Sequence, residues 1–209
     1  MIVAIIGPDG CGKKTQAKML VDRLNKNGYN AVYVHTYDIL SGVISPLKKV
    51  GLHRISPRNF RESKLNSHGN SSVRKVLIRL SVATLGFLYA LATYVYIRII
   101  LGRSRILVCD RYFFQFFFDL FDNYGEKVMR IFPKPDVTVL LDGDPDVFYS
   151  RMTDALDRST SKDYYTGLIE LYRRLAKDFN FVKIDATLEV EAVNNLILKN
   201  LMNYLEEAS

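Results

Sequence analysis

Residues 7–13 have the types and spacing that bind phosphate. They read GPDGCGK, the pattern GxxxxGK, between a short apolar run and a stretch with helical periodicity. Glycines let backbone amides approach phosphate oxygens, the start of a helix adds its positive dipole end, and a lysine reaches the terminal phosphates of a nucleotide. A tight structural turn is the alternative. We predict a nucleotide-binding loop formed by Gly7, Asp9, Gly10, Cys11, Gly12, Lys13, Lys14 and Thr15.

The residue after Lys13 departs from the usual pattern. A Ser or Thr normally stands there and ligates Mg²⁺ through its hydroxyl, but this chain has Lys14 followed by Thr15. An ammonium group cannot ligate a cation. Mg²⁺ is therefore held through water and nucleotide oxygens, or Thr15 supplies the hydroxyl, or metal-dependent catalysis is impaired.

The loop requires a strand before it and a helix after it, and the hydrophobic pattern predicts both. Residues 2–6 resemble a central parallel strand covered on both faces, and residues 14–27 have helical spacing. Further strands are predicted at 31–34, 105–109, 136–141 and 181–184, and further helices at 72–101, 145–156, 164–178 and 189–206. This alternation indicates an α/β fold, three-layer α/β/α with a five-stranded parallel sheet, in a single domain over residues 1–209.

Residues 80–97 contain no charged side chain over 18 positions and are flanked by lysines and arginines, which is the lower limit for a transmembrane helix. A single crossing would separate the phosphate loop from strands that we predict in the same sheet. We therefore interpret residues 72–101 as a helix buried against the sheet, whose remaining apolar face is available to a second subunit. Membrane attachment is the less favoured alternative.

The composition excludes several classes of protein. A hydrophobic fraction of 48%, with 12 glycines and 6 prolines, excludes a disordered or collagen-like chain. Two cysteines, Cys11 and Cys109, are too few for a disulfide framework, which favours a cytoplasmic location, and no secretory signal is predicted. The net charge of +7 favours an anionic partner, but the basic residues, several in a loop-rich flap at about 41–72, match no nucleic-acid-binding motif.

Two segments, in order along the chain, follow the phosphate loop and complete a longer pattern of three. The three are GPDGCGKKTQ at 7–16, DRY at 110–112 and LLDGDPDVFYSR at 140–151. In order and spacing the chain resembles the thymidylate kinase family of P-loop nucleoside monophosphate kinases, as an archaeal-type or divergent member. The resemblance implies ATP-dependent phosphorylation of a nucleoside monophosphate, most simply dTMP to dTDP, with ATP and Mg²⁺. It also implies a homodimer formed through residues 72–101.

The resemblance assigns roles to individual side chains. Lys13 serves the phosphate donor, and Arg111, at the carboxyl end of a parallel strand, clamps the acceptor phosphate. Asp110 organises the water shell of Mg²⁺, with Thr15 as a second metal contact, and Asp9 meets the sugar hydroxyl of the acceptor. For Asp110 and Arg111 a buried structural ion pair is the alternative.

The phosphate loop contains no arginine to stabilise charge in the transition state. Family members of this kind supply one from a lid, predicted here at about residues 152–164, so Arg158 is the predicted catalytic arginine. Arg151 brackets the adenine or the phosphates from the preceding helix. For both arginines a solvated surface position is the alternative.

The acceptor side departs from the family pattern at three places. HTYD at 35–38 replaces Arg-Glu-Pro, and Tyr89 stands where an arginine usually recognises thymine. The Ser and Tyr-Gln that usually follow Asp-Arg-aromatic are replaced within FFQFFFDLF at 113–121, part of an aromatic run that begins at Tyr112. We interpret the aromatic run as core or interface rather than as a base-stacking site. Two alternatives stay open: a kinase with a different nucleotide acceptor, and a nucleotide-binding protein with weakened catalysis. Nucleic acid is not a predicted partner.

Overall fold

The structure is a computed structural model that describes residues 1–39, 73–103, 105–121, 125–152 and 162–207. Five parallel strands form one sheet in the order β2-β3-β1-β4-β5. The strands are β1 (Ile2–Ile6), β2 (Ala31–His35), β3 (Ile106–Asp110), β4 (Val137–Asp142) and β5 (Val182–Asp185). The helices of the described residues are α1 (Lys13–Lys26), α2 (Val73–Tyr96), α3 (Phe113–Phe121), α4 (Gly125–Ile131), α5 (Pro145–Arg151), α6 (Lys162–Asp178) and α7 (Val190–Glu207).

This architecture confirms the predicted α/β fold with a five-stranded parallel sheet. Every predicted strand is present within one residue at either end. The helix predicted at 145–156 is shorter than expected, because it ends at Arg151 and Met152 takes extended backbone angles of φ −69° and ψ 125°. The predicted flap at 41–72 lies outside the described residues, as does most of the predicted lid.

The central strand explains why the sequence there is continuously apolar. All five residues of β1 are buried, as are all five of β3, its neighbour in the sheet. Side chains alternate between the faces of a strand, so full burial means that both faces are covered. One face packs on a core cluster that includes Val3 and Ile5 of β1, Ala17, Leu20 and Leu24 of α1, and Val193 and Ile197 of α7.

Helices α1 and α7 are locked together by buried amides. Asn194 of α7 donates from Nδ2 to the backbone oxygen of Gln16 at 3.1 Å and to its side-chain Oε1 at 2.9 Å. Gln16 in turn donates from Nε2 to the carbonyl oxygen of Val190 at 2.9 Å. These satisfied amides hold the first turn of α1, which follows the phosphate loop, against the C-terminal helix.

The described residues fall into two compact units. The first contains the whole sheet with α1, α5, α6 and α7, and the second contains α2, α3 and α4. The chain passes from the first unit to the second after His35 and returns at Leu101. It leaves the first unit again after Tyr112 and re-enters it at Lys134.

Helix α2 confirms the long helix predicted at 72–101, because it continues as a π-helical turn over Ile97–Leu101. Its buried stripe includes Ala90, Thr93 and Ile97. Large apolar side chains elsewhere on it are exposed, namely Leu85, Leu88, Val95, Tyr96, Ile99 and Ile100. By length and composition alone, the window Thr84–Leu101 meets the criterion for a membrane-spanning helix.

The second unit has an aromatic core. Phe113 and Phe117 of α3 lie with ring centroids 4.9 and 4.8 Å from that of Phe132, and Phe87 and Tyr94 of α2 lie 5.9 and 6.0 Å from the same ring. Phe113, Phe117 and Phe132 are fully buried. The prediction that the aromatic run after strand three is core is therefore confirmed for its helical part.

Candidate active site

The phosphate loop connects β1 to α1 and depends on glycine at two close approaches. Gly7 has φ 151°, and a Cβ there would lie 2.7 Å from the carbonyl oxygen of Leu141. Gly10 has φ 84°, and a Cβ there would lie 2.2 Å from the carbonyl oxygen of Phe148. Any side chain at either place would strain the backbone and collide with β4 or α5. The fold therefore presses this loop tightly against its neighbours.

The start of α1 offers backbone N–H groups to an anion. Gly12 precedes the helix in a left-handed conformation, and the N-terminus of α1 has no side-chain cap among the described residues. A Cβ on Gly12 would meet no atom within 4 Å. The first N–H groups of a helix lack intrahelical partners and carry the positive end of the dipole. The loop thus fits a phosphate group at the helix N-terminus.

Lys13 is held inside the loop that it serves. Its side chain is only 5% exposed, and Nζ donates to the carbonyl oxygen of Pro8 at 2.6 Å. Nζ also lies 3.3 Å from Oδ1 of Asp9. A buried ammonium group requires such partners, because removing it from water without them would be costly.

Arg111 reaches the same carboxylate from the end of β3. Its Nη2 donates to Oδ1 of Asp9 at 2.7 Å, while its backbone N–H donates to the carbonyl oxygen of Ile5. Arg111 has φ 70°, a left-handed conformation that is uncommon for a residue with a side chain. One oxygen of Asp9 thus binds two cations, Lys13 and Arg111, and brings together the residues predicted to serve the donor and the acceptor.

Asp110 ends β3 with one oxygen bound and the other without a partner. It is 3% exposed, and its Oδ2 accepts a hydrogen bond from the hydroxyl of Tyr33 at 2.9 Å. Its Oδ1 is buried and accepts no hydrogen bond from the described residues. A buried carboxylate oxygen without a donor is unfavourable, so this atom is suited to a water or cation at the site.

Cys11 lies at the point where these charges meet. Burial raises the pKa of the Cys11 thiol, and the negative charges of Asp9 and Asp110 raise it further, although Lys13 acts in the opposite direction. The thiol therefore stays protonated at neutral pH. Cys11 contributes packing and backbone to the loop rather than a nucleophile.

The donor set fits a divalent cation that keeps most of its water. Among the described residues, no group of three or more His, Cys, Asp or Glu side chains is placed to hold a metal ion. Mg²⁺ at phosphoryl-transfer sites typically has one or two carboxylates together with phosphates and water, and the unpartnered Oδ1 of Asp110 can accept from such water. Lys14 and Thr15 are both exposed in the first turn of α1. A metal contact by Thr15 stays a prediction.

Arg151 lies on α5, the helix whose Phe148 backbone approaches Gly10 of the phosphate loop. From the end of α5 its Nη1 donates to the carbonyl oxygen of Ala186 at 2.9 Å, and its Nη2 lies 3.4 Å from that of Thr187. Arg151 is thereby attached to the loop that follows β5. Arg158, the predicted catalytic arginine, lies outside the described residues, and Tyr89 lies in α2 of the second unit.

An ion-pair cluster at the ends of β4 and β5 was not predicted from sequence. Asp142 accepts from Nε of Arg173 at 2.9 Å, and Nζ of Lys183 lies 3.2 Å from its other oxygen. Burial alone would raise the pKa of Asp142, but Arg173, the N–H of Gly143 and Lys183 together hold it below its ordinary value. The cluster borders an open depression of about 500 Å³.

Tyr33 was also missed, because a tyrosine in an otherwise aliphatic strand reads simply as a strand residue. A possible signal is that β2 pairs with the strand that ends in Asp110, with His35 opposite Asp110 in the register. A hydroxyl two residues earlier in β2 lies within reach of that carboxylate.

Comparison with known proteins places this geometry in a family. A family model described as Thymidylate kinase matches residues 61–197. The thymidylate kinase of Caldanaerobacter subterraneus subsp. tengcongensis is 29% identical, over 99% of this chain and 97% of that protein. The probable thymidylate kinase of Methanosphaera stadtmanae is 27% identical, over 99% of this chain and 100% of that protein. The probable thymidylate kinase of Methanocaldococcus jannaschii is 26% identical, over 97% of this chain and 96% of that protein. With a phosphate loop, a parallel sheet and similarity along almost its whole length, the chain belongs to the thymidylate kinase family of nucleoside monophosphate kinases.

Proposed function

We infer that the chain transfers the γ-phosphoryl group of ATP to a nucleoside monophosphate, with dTMP as acceptor. The observation that carries this function is the pairing of Lys13 and Arg111 on one oxygen of Asp9, beside the uncapped N-terminus of α1. Phosphoryl transfer brings two anionic groups together, and a cation is needed on the side of each. Lys13 and Arg111 are two such cations: Lys13 begins the helix that follows β1, and Arg111 directly follows β3, the strand paired with β1.

The donor side is formed by the phosphate loop. Backbone N–H groups at the start of α1 bind phosphate oxygens, and Lys13 exchanges its contacts with Pro8 and Asp9 for the terminal phosphates of ATP. Arg151, attached to the loop after β5, brackets the adenine. Arg158 supplies the remaining positive charge from the lid.

The acceptor side is formed by Arg111 and Asp9. The acceptor phosphate replaces Asp9 as the partner of the Arg111 guanidinium, which favours a fork of two hydrogen bonds to a phosphate. Asp9 is then available to accept from the sugar hydroxyl. The two reacting groups are thereby oriented before the reaction, which is a large part of catalysis in phosphoryl transfer.

Mg²⁺, when bound, would neutralise charge on the nucleotide phosphates. Asp110 accepts hydrogen bonds from the water around the ion, through the oxygen that lacks a protein partner, and Thr15 is the second proposed contact. Lys14 supplies no oxygen, so most of the coordination comes from phosphate and water.

A spectrophotometric assay with ATP, Mg²⁺ and a panel of nucleoside monophosphates tests this function. We expect turnover with dTMP, and we expect Lys13→Ala to lower kcat/KM by about 100-fold while the circular dichroism spectrum is unchanged, because a charge aimed at the phosphates is lost. Lys26→Ala, an exposed lysine at the other end of α1, is the matched control. Turnover with another monophosphate and none with dTMP would reassign the acceptor. ATP binding without turnover on any monophosphate would contradict the kinase function and favour a nucleotide-binding protein with weakened catalysis.

We propose that the protein is a cytoplasmic homodimer assembled through residues 72–101. The support is the set of exposed apolar side chains on α2, which follow helical spacing and include Leu85, Leu88, Val95 and Ile99. An exposed apolar stripe on a helix is typical of a protein interface.

A further inference from the structure

Among the described residues, Tyr33 is the group that donates a hydrogen bond to the side chain of Asp110. Its hydroxyl donates to Oδ2 at 2.9 Å, across 77 positions of sequence. The other oxygen, Oδ1, is buried and has no described donor. The Asp110 carboxylate therefore has one oxygen held by a protein group and one oxygen left for something else.

The surroundings of Tyr33 fix the position of its hydroxyl. Tyr33 lies in β2, beside β3, where it pairs with Val108, two residues before Asp110. Its ring packs against the core cluster beneath α1, and Nζ of Lys18 lies 5.7 Å from the ring centroid. A tyrosine ring anchored in a strand and packed on a core has little rotational freedom, so the hydroxyl is a rigid donor.

The charged groups around Asp110 give its carboxylate a large part in positioning a metal ion. Asp9 and Asp110 are the carboxylates whose charges act on the Cys11 thiol beside Lys13. Asp9 already binds both Lys13 and Arg111 through Oδ1. In this chain Lys14 occupies the loop position where a Ser or Thr usually supplies a hydroxyl to the metal. Asp110 therefore carries a larger share of metal positioning than it would in a loop with that hydroxyl.

We propose that Tyr33 is a positioning residue for the metal site: by holding Oδ2 of Asp110, its hydroxyl keeps Oδ1 directed to the water shell of Mg²⁺. The proposal rests on the proposed function for the identity of the metal complex. Hydrogen bonds of this kind orient carboxylates around metals, and their loss typically lowers metal affinity or activity by about 10- to 100-fold.

The test measures metal binding without turnover. Mn²⁺ replaces Mg²⁺, and electron paramagnetic resonance gives its affinity for the protein saturated with the non-hydrolysable β,γ-imido analogue of ATP. We expect Tyr33→Phe to weaken Mn²⁺ binding by about 10-fold or more, with little change in the affinity for the metal-free analogue. Tyr29→Phe removes a hydroxyl from another tyrosine packed on the same core cluster and should bind Mn²⁺ as the wild type does.

Two further backgrounds separate positioning from a general structural effect. In Asp110→Asn the same Tyr33→Phe change should cause no further loss, because the group that Tyr33 positions for the metal has gone. In Lys14→Ser, which restores a hydroxyl ligand, the loss caused by Tyr33→Phe should be smaller. An equal loss in all backgrounds, as expected if the variant merely loosens the fold, would overturn the proposal.

The proposal and the proposed function can fail separately. If no nucleoside monophosphate is phosphorylated but Tyr33→Phe still weakens Mn²⁺ binding selectively, the positioning role stands and the kinase function falls. If the wild type is an active kinase and Tyr33→Phe has unchanged Mn²⁺ affinity at an unchanged melting temperature, Tyr33 is a core residue and the positioning role is overturned.

Discussion

At the scale of single residues, the site balances two cations against one buried carboxylate. Asp9 is 4% exposed and contacts both Lys13 and Arg111 through the same oxygen. In the proposed function each of these contacts is replaced by phosphate when a substrate binds, so that the two cations act on different substrates. Substitutions at the two positions should therefore separate the kinetic constants of donor and acceptor.

Arg111→Ala is predicted to raise the KM for the nucleoside monophosphate and to lower kcat, with little change in ATP affinity. The reason is that, in the proposed function, its guanidinium binds and orients the acceptor phosphate. Steady-state kinetics with each substrate varied in turn measures the effect, and Arg105→Ala, an exposed arginine just before β3, is the control. An effect confined to ATP binding would move Arg111 to the donor side.

Lys14→Ser is predicted to lower the half-saturating concentration of Mg²⁺, because the hydroxyl can ligate the ion and the ammonium group cannot. If metal placement limits the reaction, kcat should rise as well. Titration of the reaction rate with Mg²⁺ measures both. A fall in turnover would mean that Lys14 supplies positive charge to the phosphates, and identical metal dependence would show that the position is irrelevant to the metal.

At the scale of elements, the sheet is tied to α6 at its carboxyl edge. Asp142, the last residue of β4, receives Arg173 of α6 and Lys183 of β5, and Arg173 also donates from Nη2 to the carbonyl oxygen of Gly143 at 3.1 Å. The pKa of Asp142 lies below its ordinary value, since these donors outweigh the effect of burial. The cluster therefore favours the folded state whenever Asp142 is ionised.

Arg173→Gln is predicted to lower the free energy of unfolding by about 1 kcal/mol at pH 7, because Arg173 is partly exposed and such pairs are screened by solvent. A carboxyl group with a lowered folded pKa stabilises the protein above its unfolded pKa of about 3.9, and this contribution is lost as the pH falls through the folded value. The difference between wild type and variant should thus shrink below pH ~4. Urea denaturation at a series of pH values measures it, with Lys177→Gln on the exposed face of α6 as control. A difference that is constant with pH would exclude the ion pair as its source.

At the scale of the whole molecule, the second unit has its own aromatic core and a long helix, α2, with several exposed apolar residues. Phe132 contacts the rings of Phe113 and Phe117, while Leu88 on α2 and Ile99 in the π-helical turn after it are 55% and 61% exposed. An exposed face of this kind is unfavourable in water unless another surface covers it. A second copy of the chain is the proposed covering.

Light scattering at micromolar concentration is predicted to give twice the mass of the chain. Leu88→Glu should shift the equilibrium towards monomer, because it places a charge within the proposed apolar contact. Leu196→Glu, an exposed leucine on α7, should leave the mass unchanged. A wild type that is monomeric under these conditions would contradict the proposed dimer.

Much of the fold could be predicted because it depends on local patterns. Continuous apolar runs marked the five strands, and the glycine spacing at residues 7–13 marked the turn between β1 and α1. Helices α3 and α4 were not predicted, and in FFQFFFDLF only the spacing of four positions between Gln115 and Asp119 indicates a helical period.

The sequence by itself determined the phosphate loop, the parallel sheet and the residue types at the ends of its strands, because each depends on neighbours within a few positions. Only the tertiary structure decided which side chains meet. Arg111 binds Asp9 across 102 positions and Tyr33 binds Asp110 across 77, and no local periodicity encodes either pair. Strand order, register and the left-handed backbone of Arg111 bring these groups together, and all three are consequences of packing the whole first unit around a common sheet.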